Sequence, residues 1–311
     1  MPFLERKHVA ALLNRGAGTI ASQGETSLRA VLSAAFQKHE ISATLEFLPG
    51  AELGPAAARA LKQALNRELD AVVVGGGDGS IQTVASVLAG SGVPLGILPL
   101  GTMNHFAKDL GIPITMEESI TVIANGTARS VDLGQVNGQI FINNSSIGIY
   151  PYMVLERARE RRRKQLSKWT AMILAGLRML RYLPLFRLRI RVEGVTELIR
   201  SPCVFVGNNE YRLGLPAFGR RERLDRGELC VYVAKAQGRL SLLWLAFRCI
   251  LGTVDQQHDL RIFKGRTAEI SARRRWLLVA TDGEVKTMRS PLQYRIRPSE
   301  LRVLAPGPAN G

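Results

Sequence analysis

The sequence predicts two domains in series: an α/β domain on a parallel sheet, then a mainly antiparallel β domain. Three observations carry this. In the first third, apolar runs of strand length alternate with amphipathic helical segments. Gly-containing loops stand directly after three of those runs. Beyond Val131-Asp-Leu-Gly134 the helical segments thin out, and short runs punctuated by Gly, Asn and Pro take over.

Val9–Leu13 reads as a strand ending at Asn14-Arg-Gly-Ala-Gly18. A helix is expected over Thr26–His39, a strand over Thr44–Leu48 and a helix over Pro55–Leu69. Ala71–Val74 is short and wholly apolar, as a strand covered on both faces must be. A helix over Ile81–Ala89 and a strand over Pro94–Leu98 complete the βαβα rhythm. Such sheets bind ligands at the carboxyl ends of their strands. In the second block, strands are expected at Gln139–Asn143, Phe186–Val192, Cys203–Val206, Leu229–Val233, Leu277–Ala280 and Leu292–Ile296. A long helical stretch, Val154–Tyr182, interrupts them. Leu240–Ile250 reads as another helix, with Trp244 and Phe247 as core or lipid-cleft lining, core being the commoner use. Ala305–Gly311 reads as a frayed tail.

With 311 residues, 46% of them hydrophobic and 22% charged, the chain can bury two cores and is no disordered polymer. Its formal net charge of +16 points to polyanionic partners: nucleic acid, anionic membrane or nucleotide. Between Glu156 and Arg191 stand twelve Lys or Arg and two Glu, so most of the excess sits in one segment. The three cysteines, Cys203, Cys230 and Cys249, lack CxxC spacing, which argues against a disulfide framework or a zinc site. The charged start, Met1 to His8, lacks the apolar run of a signal peptide. No stretch of about 18 uncharged apolar residues offers a membrane span, so a cytoplasmic location is expected.

The strongest local signal is Gly75-Gly76-Gly77-Asp78-Gly79-Ser80, which follows a buried strand and opens a helix. Glycines let the backbone turn tightly and bring its N–H groups to an anion, and the helix N-terminus adds a favourable dipole. No Gly-Lys-Ser/Thr follows, so this is not a Walker A loop. Asp78 would repel phosphate unless a magnesium ion lay between them; a Gly-rich turn with an Asp cap is the plainer alternative. In Gly96-Ile-Leu-Pro-Leu-Gly101-Thr102-Met-Asn104-His105, a strand again ends in a Gly loop. Thr102 and Asn104 there offer neutral polar groups for ribose or phosphate, or Asn104 an N-cap. Asn14, Gly16 and Gly18 make the third such loop, and three in one parallel sheet converge on a nucleotide pocket. Asp282-Gly283-Glu284 places two carboxylates around a turn, suited to a general base and an orienting partner, although alone it is a common turn.

Taken in order and spacing, these motifs resemble the diacylglycerol kinase catalytic-domain family, and its bacterial lipid kinases related to sphingosine and ceramide kinases. Val131-Asp-Leu-Gly134 and Phe205-Val-Gly-Asn-Asn209 are similar to the family as well. The resemblance implies an N-terminal domain like that of NAD kinases and phosphofructokinases over residues 1–132, with a segment about 298–306 returning to it. It implies a β-sandwich lipid-substrate domain over 133–297. It further implies that Asn14, Gly16, Gly18, Gly75–Ser80, Gly101, Thr102 and Asn104 bind ATP, that Asp78 lies near Mg2+, that Asp282 is the base and that Glu284 assists. Two departures stand out. His105 occupies a position where the family usually carries Asp. Arg223 and Arg226 flank Asp225 where carboxylates of an accessory metal site are expected, so that site is weakened or absent.

The stretch 154–182 carries Arg161, Arg162, Arg163, Lys164 and Lys168 before Trp169, and Trp169, Met172, Ile173, Leu177 and Leu180 share one helical face. A basic amphipathic helix of this kind suits an anionic membrane surface, so peripheral attachment to the inner face of the membrane is expected. Packing of the apolar face on the second domain is the alternative. No nucleic-acid-binding signature accompanies the charge, and a homodimer is compatible with the sequence. The reading is an ATP-dependent lipid kinase acting on diacylglycerol or a related glycerolipid. Its alternatives are a soluble-substrate kinase of the NAD kinase type and a non-catalytic lipid- or nucleic-acid-binding module.

Overall fold

The computed structural model describes residues 6–163, 185–212, 219–235 and 256–307, with isolated positions between 238 and 253. The chain divides into two compact units. The first comprises residues 1–133, 223–226 and 297–311, and the second 134–222 and 227–296.

In the first unit the elements run β1 (Lys7–Asn14), α1 (Gly18–Gln23), α2 (Glu25–Lys38), β2 (Ile41–Leu48), α3 (Leu53–Leu65), β3 (Ala71–Gly76), α4 (Asp78–Leu88), β4 (Pro94–Pro99), α5 (His105–Asp109), α6 (Met116–Asn125) and β5 (Thr127–Val136), whose last residues enter the second unit. The parallel sheet has the order β2-β1-β3-β4, and β18 (Leu292–Ala305) pairs parallel to β4 through Arg302 and Val303. β3 is buried at every position, as its unbroken Val run requires. Leu28, Leu32 and Phe36 of α2 recur at helical spacing and pack with Val9, Ala11 and Val73 of the sheet. At about 25 cal/mol per Å2 of apolar surface, this burial is the main force holding the sheet to its helices. Helix α3 stops at Leu65, before the expected Leu69, because Arg67 takes a left-handed conformation.

The second unit holds β6 (Gln139–Phe141), β7 (Asn144–Gly148), α7 (Ile149–Arg163), β8 (Phe186–Val192), β9 (Val195–Ser201), β10 (Cys203–Asn208), β11 (Tyr211–Arg212), β12 (Arg220–Arg221), β13 (Leu229–Ala234), β14 (Leu260–Gly265), β15 (Thr267–Ala272), β16 (Trp276–Thr281) and β17 (Glu284–Arg289). One antiparallel sheet runs β14-β13-β10-β7-β16-β17; in the other, β15 pairs with β8, with β8 next to β9 and residues 292–295 of β18 alongside β15. Alternating inward residues of both sheets, among them Ile147, Val204, Val231, Ile190 and Ile270, form one core, as a β-sandwich demands.

Several expectations are corrected. β6 ends at Phe141 rather than Asn143, because the next backbone N–H groups turn to a side chain instead of a neighbouring strand. β18 runs on to Ala305, well beyond Ile296. Residues 223–226 belong to the first unit, since the Asp132 N–H donates to Leu224 O (2.7 Å). Trp244 and Phe247 are 60% and 49% exposed and stack on each other, so neither is a core residue. Of the expected helix 154–182, α7 covers the part to Arg163 and contains Arg161, Arg162 and Arg163. Lys164, Lys168 and Trp169 lie outside the described residues.

Candidate active site

In the first unit, three strand-end loops come together. β1, β3 and β4 are neighbours in the sheet, so their carboxyl ends emerge side by side. Asn14, at the end of β1, donates from Nδ2 to Ser80 Oγ (2.7 Å), and its Oδ1 accepts the Gly16 N–H (2.9 Å). The Leu100 N–H donates to Gly76 O (3.1 Å), and Thr19 Oγ1 donates to Leu100 O (3.2 Å), joining the first loop to the third. Gly18 faces Thr102. A Cβ at Gly101 would collide with the Cα of Gly77, and one at Gly76 with the Ser80 side chain. Glycine is required at both places because backbone lies against backbone there, or against a short side chain. The 11-residue helix α4 starts at Asp78, so its first turn presents N–H groups that have no partner within the helix, beside these glycines.

Two polar residues of this site have structural work of their own. Asp78 accepts the N–H groups of His105 (3.1 Å) and Phe106 (3.0 Å), capping α5 from a distant loop. Asn104 sits at φ 51°, and its side chain is buried. Its Oδ1 accepts the Gly101 N–H (3.1 Å), while Nδ2 donates to Pro99 O (3.2 Å) and Gly101 O (2.9 Å). Asn104 therefore shapes the Gly101 loop from inside, and the cap of α5 that it was expected to offer comes from Asp78.

In the second unit, Asp282 and Gly283 form the two-residue turn between β16 and β17, both with positive φ, as a tight hairpin turn demands. The Asp282 carboxylate reaches back to the segment after β6. Oδ2 accepts the Ile142 N–H (2.8 Å), and Oδ1 accepts those of Asn143 (2.8 Å) and Asn144 (3.2 Å). The residue keeps some surface, yet burial of the carboxyl pushes its pKa up to about 7, against the pull of the three amides and the Arg221 charge. Glu284 is exposed at the start of β17.

Arg221 was not among the residues singled out in the sequence. It is 3% exposed and donates to Ile142 O (2.8 Å), Asn208 O (3.1 Å) and Asn143 Oδ1 (2.6 Å). It thus clamps from below the segment whose amides hold Asp282. Asn208, of the Phe205–Asn209 motif, joins it by donating to Ile142 O (2.9 Å).

Residues 8–136 match the diacylglycerol kinase catalytic domain, and residues 153–305 match the YegS C-terminal NAD kinase beta sandwich-like domain. The chain thus carries a diacylglycerol kinase catalytic domain followed by a YegS-type C-terminal domain. It is 48% identical to a diacylglycerol kinase of Bacillus subtilis over 91 residues, which are 28% of this chain and 30% of that protein. It thus spans under a third of that relative's length in this match. It is 28% identical to a diacylglycerol kinase of Mycobacterium tuberculosis over 255 residues, 79% of this chain and 80% of the relative. A crystal structure of a diacylglycerol kinase from Bacillus anthracis has the same fold, with a TM-score of 0.68 at 23% identity, covering 98% of each chain.

Within the family frame, the two departures acquire a structural setting. His105 occupies the first position of α5 and is held there through its backbone by Asp78. Arg223 grips Asp225 with two hydrogen bonds (2.9 and 3.1 Å), and this pairing holds the Asp225 carboxyl below the usual carboxylate range.

Proposed function

We propose that this protein is an ATP-dependent lipid kinase that transfers the γ-phosphoryl group to the hydroxyl of diacylglycerol or a related glycerolipid. The observation that carries the reading is the convergence of the Asn14, Gly75–Ser80 and Gly101–Asn104 loops on one edge of a parallel sheet. The crowding at Gly76 and Gly101 excludes side chains and leaves backbone amides and the start of α4 to meet phosphate, which fits a nucleotide polyphosphate. Among the described residues no three His, Cys, Asp or Glu converge on one point. Asp78 would be the residue of this loop to hold a Mg2+ ion, which would supply neutralisation of the phosphate charge.

The chain's own contribution is positioning and proton handling. Asn104 fixes the Gly101 loop, and Asp78 ties the start of α4 to α5. Asp282 accepts the proton of the lipid hydroxyl as its oxygen attacks the γ-phosphorus and ADP leaves. A pKa near 7 balances readiness to accept a proton against availability of the ionised form. Glu284 stands two residues on as the orienting carboxylate. The basic segment from Arg161 to Trp169 contacts the anionic inner face of the membrane, where such a substrate resides. Among the described residues no helix is long and apolar enough to cross a membrane.

The test is transfer of labelled γ-phosphate from Mg-ATP to a panel of diacylglycerol, sphingoid bases and NAD in anionic mixed micelles. Label in a glycerolipid supports the reading. Label in NAD with none in any lipid replaces it with a soluble-substrate kinase.

A further inference from the structure

β8 reads Phe186-Arg-Leu-Arg-Ile-Arg-Val192. Its Leu188, Ile190 and Val192 are buried in the core, so Arg187, Arg189 and Arg191 stand together on the exposed face. Three of the twelve cations counted between Glu156 and Arg191 are thus placed on a strand. The register sets Arg187 opposite Arg200 of β9, and sets Arg189 between Leu198 of β9 and Ser271 of β15. With Arg273 these residues line an open groove of about 450 Å3. Arg191 lies opposite Glu269 and is set aside. Among the described residues, Arg187, Arg189, Arg200 and Arg273 form no ion pair; the neighbouring acid Glu197 is taken by Arg261.

Like charges directly opposite across a ladder destabilise a sheet, so this face is not arranged for stability. Four guanidinium groups present planar forks matched to phosphate oxygens. Leu198, 78% exposed among them, is an apolar side chain ringed by cations, the composition that suits the boundary of headgroups and acyl chains. The groove lining contains no aromatic ring on which a base could stack, which disfavours single-stranded nucleic acid. We propose that the β15-β8-β9 face is a docking surface for an anionic bilayer, with Arg187, Arg189, Arg200 and Arg273 on lipid phosphates and Leu198 at the interface. The inference extends the lipid-kinase reading, because a lipid substrate is met at such a surface.

The experiment is co-sedimentation of the full chain, without ATP, with vesicles of phosphatidylcholine alone or mixed with phosphatidylglycerol. At about fivefold per cation, the variant R187Q/R189Q/R200Q is expected to lose about 100-fold in partition onto the mixed vesicles. Its melting midpoint should be equal or higher, since a like-charge pair is removed. Phosphorylation of a monomeric short-chain diacylglycerol should be unchanged. Partition equal to that of the parent protein overturns the proposal, as does a loss confined to RNA binding. If the parent phosphorylates no lipid and the variant still loses vesicle binding, the surface stands and the kinase reading falls.

Discussion

At the ends of β1, β3 and β4, the proposed nucleotide site is left to the backbone: Gly76 and Gly101 are glycines because neighbouring atoms fill the space of a Cβ. At the β16–β17 hairpin, one carboxylate, that of Asp282, gathers three amides from a segment about 140 residues earlier in the chain. The first arrangement is damaged by adding a single carbon, and the second by removing a single charge. Substitutions in the two regions should therefore fail in different ways, one in binding and the other in turnover and pH response.

The largest effect is expected at Asp282. Asp282→Asn keeps the size but loses the proposed base and one acceptor of the three amides, so the rate of phosphoryl transfer should fall by about 10²–10⁴-fold while ATP binding, read by calorimetry, is unchanged. Asp282→Ala goes further and leaves three amides without their acceptor, at a cost of at least about 2 kcal/mol in denaturant unfolding. Gly101→Ala comes next. Its new methyl group meets the Gly77 backbone, so the loops must part, with at least about tenfold weaker ATP binding and about 1–3 kcal/mol of lost stability.

The pH dependence sharpens the contrast. As the proposed base, Asp282 would act in its ionised form, so kcat/KM should rise with pH through about 7 and then level. Arg221 lowers that pKa, so Arg221→Gln should move the midpoint upward, with Arg221→Lys partly restoring it; a purely structural role would change amplitude without moving the midpoint. The sign for stability is opposite to the usual carboxylate case. The native state binds the Asp282 proton more tightly than the unfolded chain, so this group's stabilisation is complete below pH about 4 and lost as pH rises through about 7. The smallest effect is expected at Arg223. Its pair with Asp225 is solvent-exposed, and Arg223→Gln should leave the melting midpoint unchanged.

The contrast also governs what could be read from the sequence. The strand-to-helix setting of Gly75-Gly-Gly-Asp-Gly-Ser80 could be read from the sequence, because a wholly apolar run leads into the glycines and an amphipathic helical segment follows. The limits of β8 followed from local patterning, whereas β18 runs on to Ala305 beyond the apolar run that announced it. By contrast, nothing near Arg221 indicates that it will be buried beneath the amides that hold Asp282, since that setting depends on strands far apart in sequence. The structural duties of Asp78 and Asn104 were hidden for a related reason: both act on neighbouring loops, and spacing alone suggests only a ligand or a cap. Arg187, Arg189 and Arg191 were read on a strand, as their alternation with Leu188 and Ile190 requires, but their shared exposed face beside β9 and β15 depends on the sheet register.

The most direct measurement sets Asp282→Asn and Gly101→Ala side by side, with ATP binding and transfer to diacylglycerol read on the same preparations. The account predicts that the first binds ATP normally and transfers almost nothing, while the second loses ATP affinity. Transfer by Asp282→Asn at the parent rate, with its fold intact, would contradict the assignment of the base and with it the proposed chemistry.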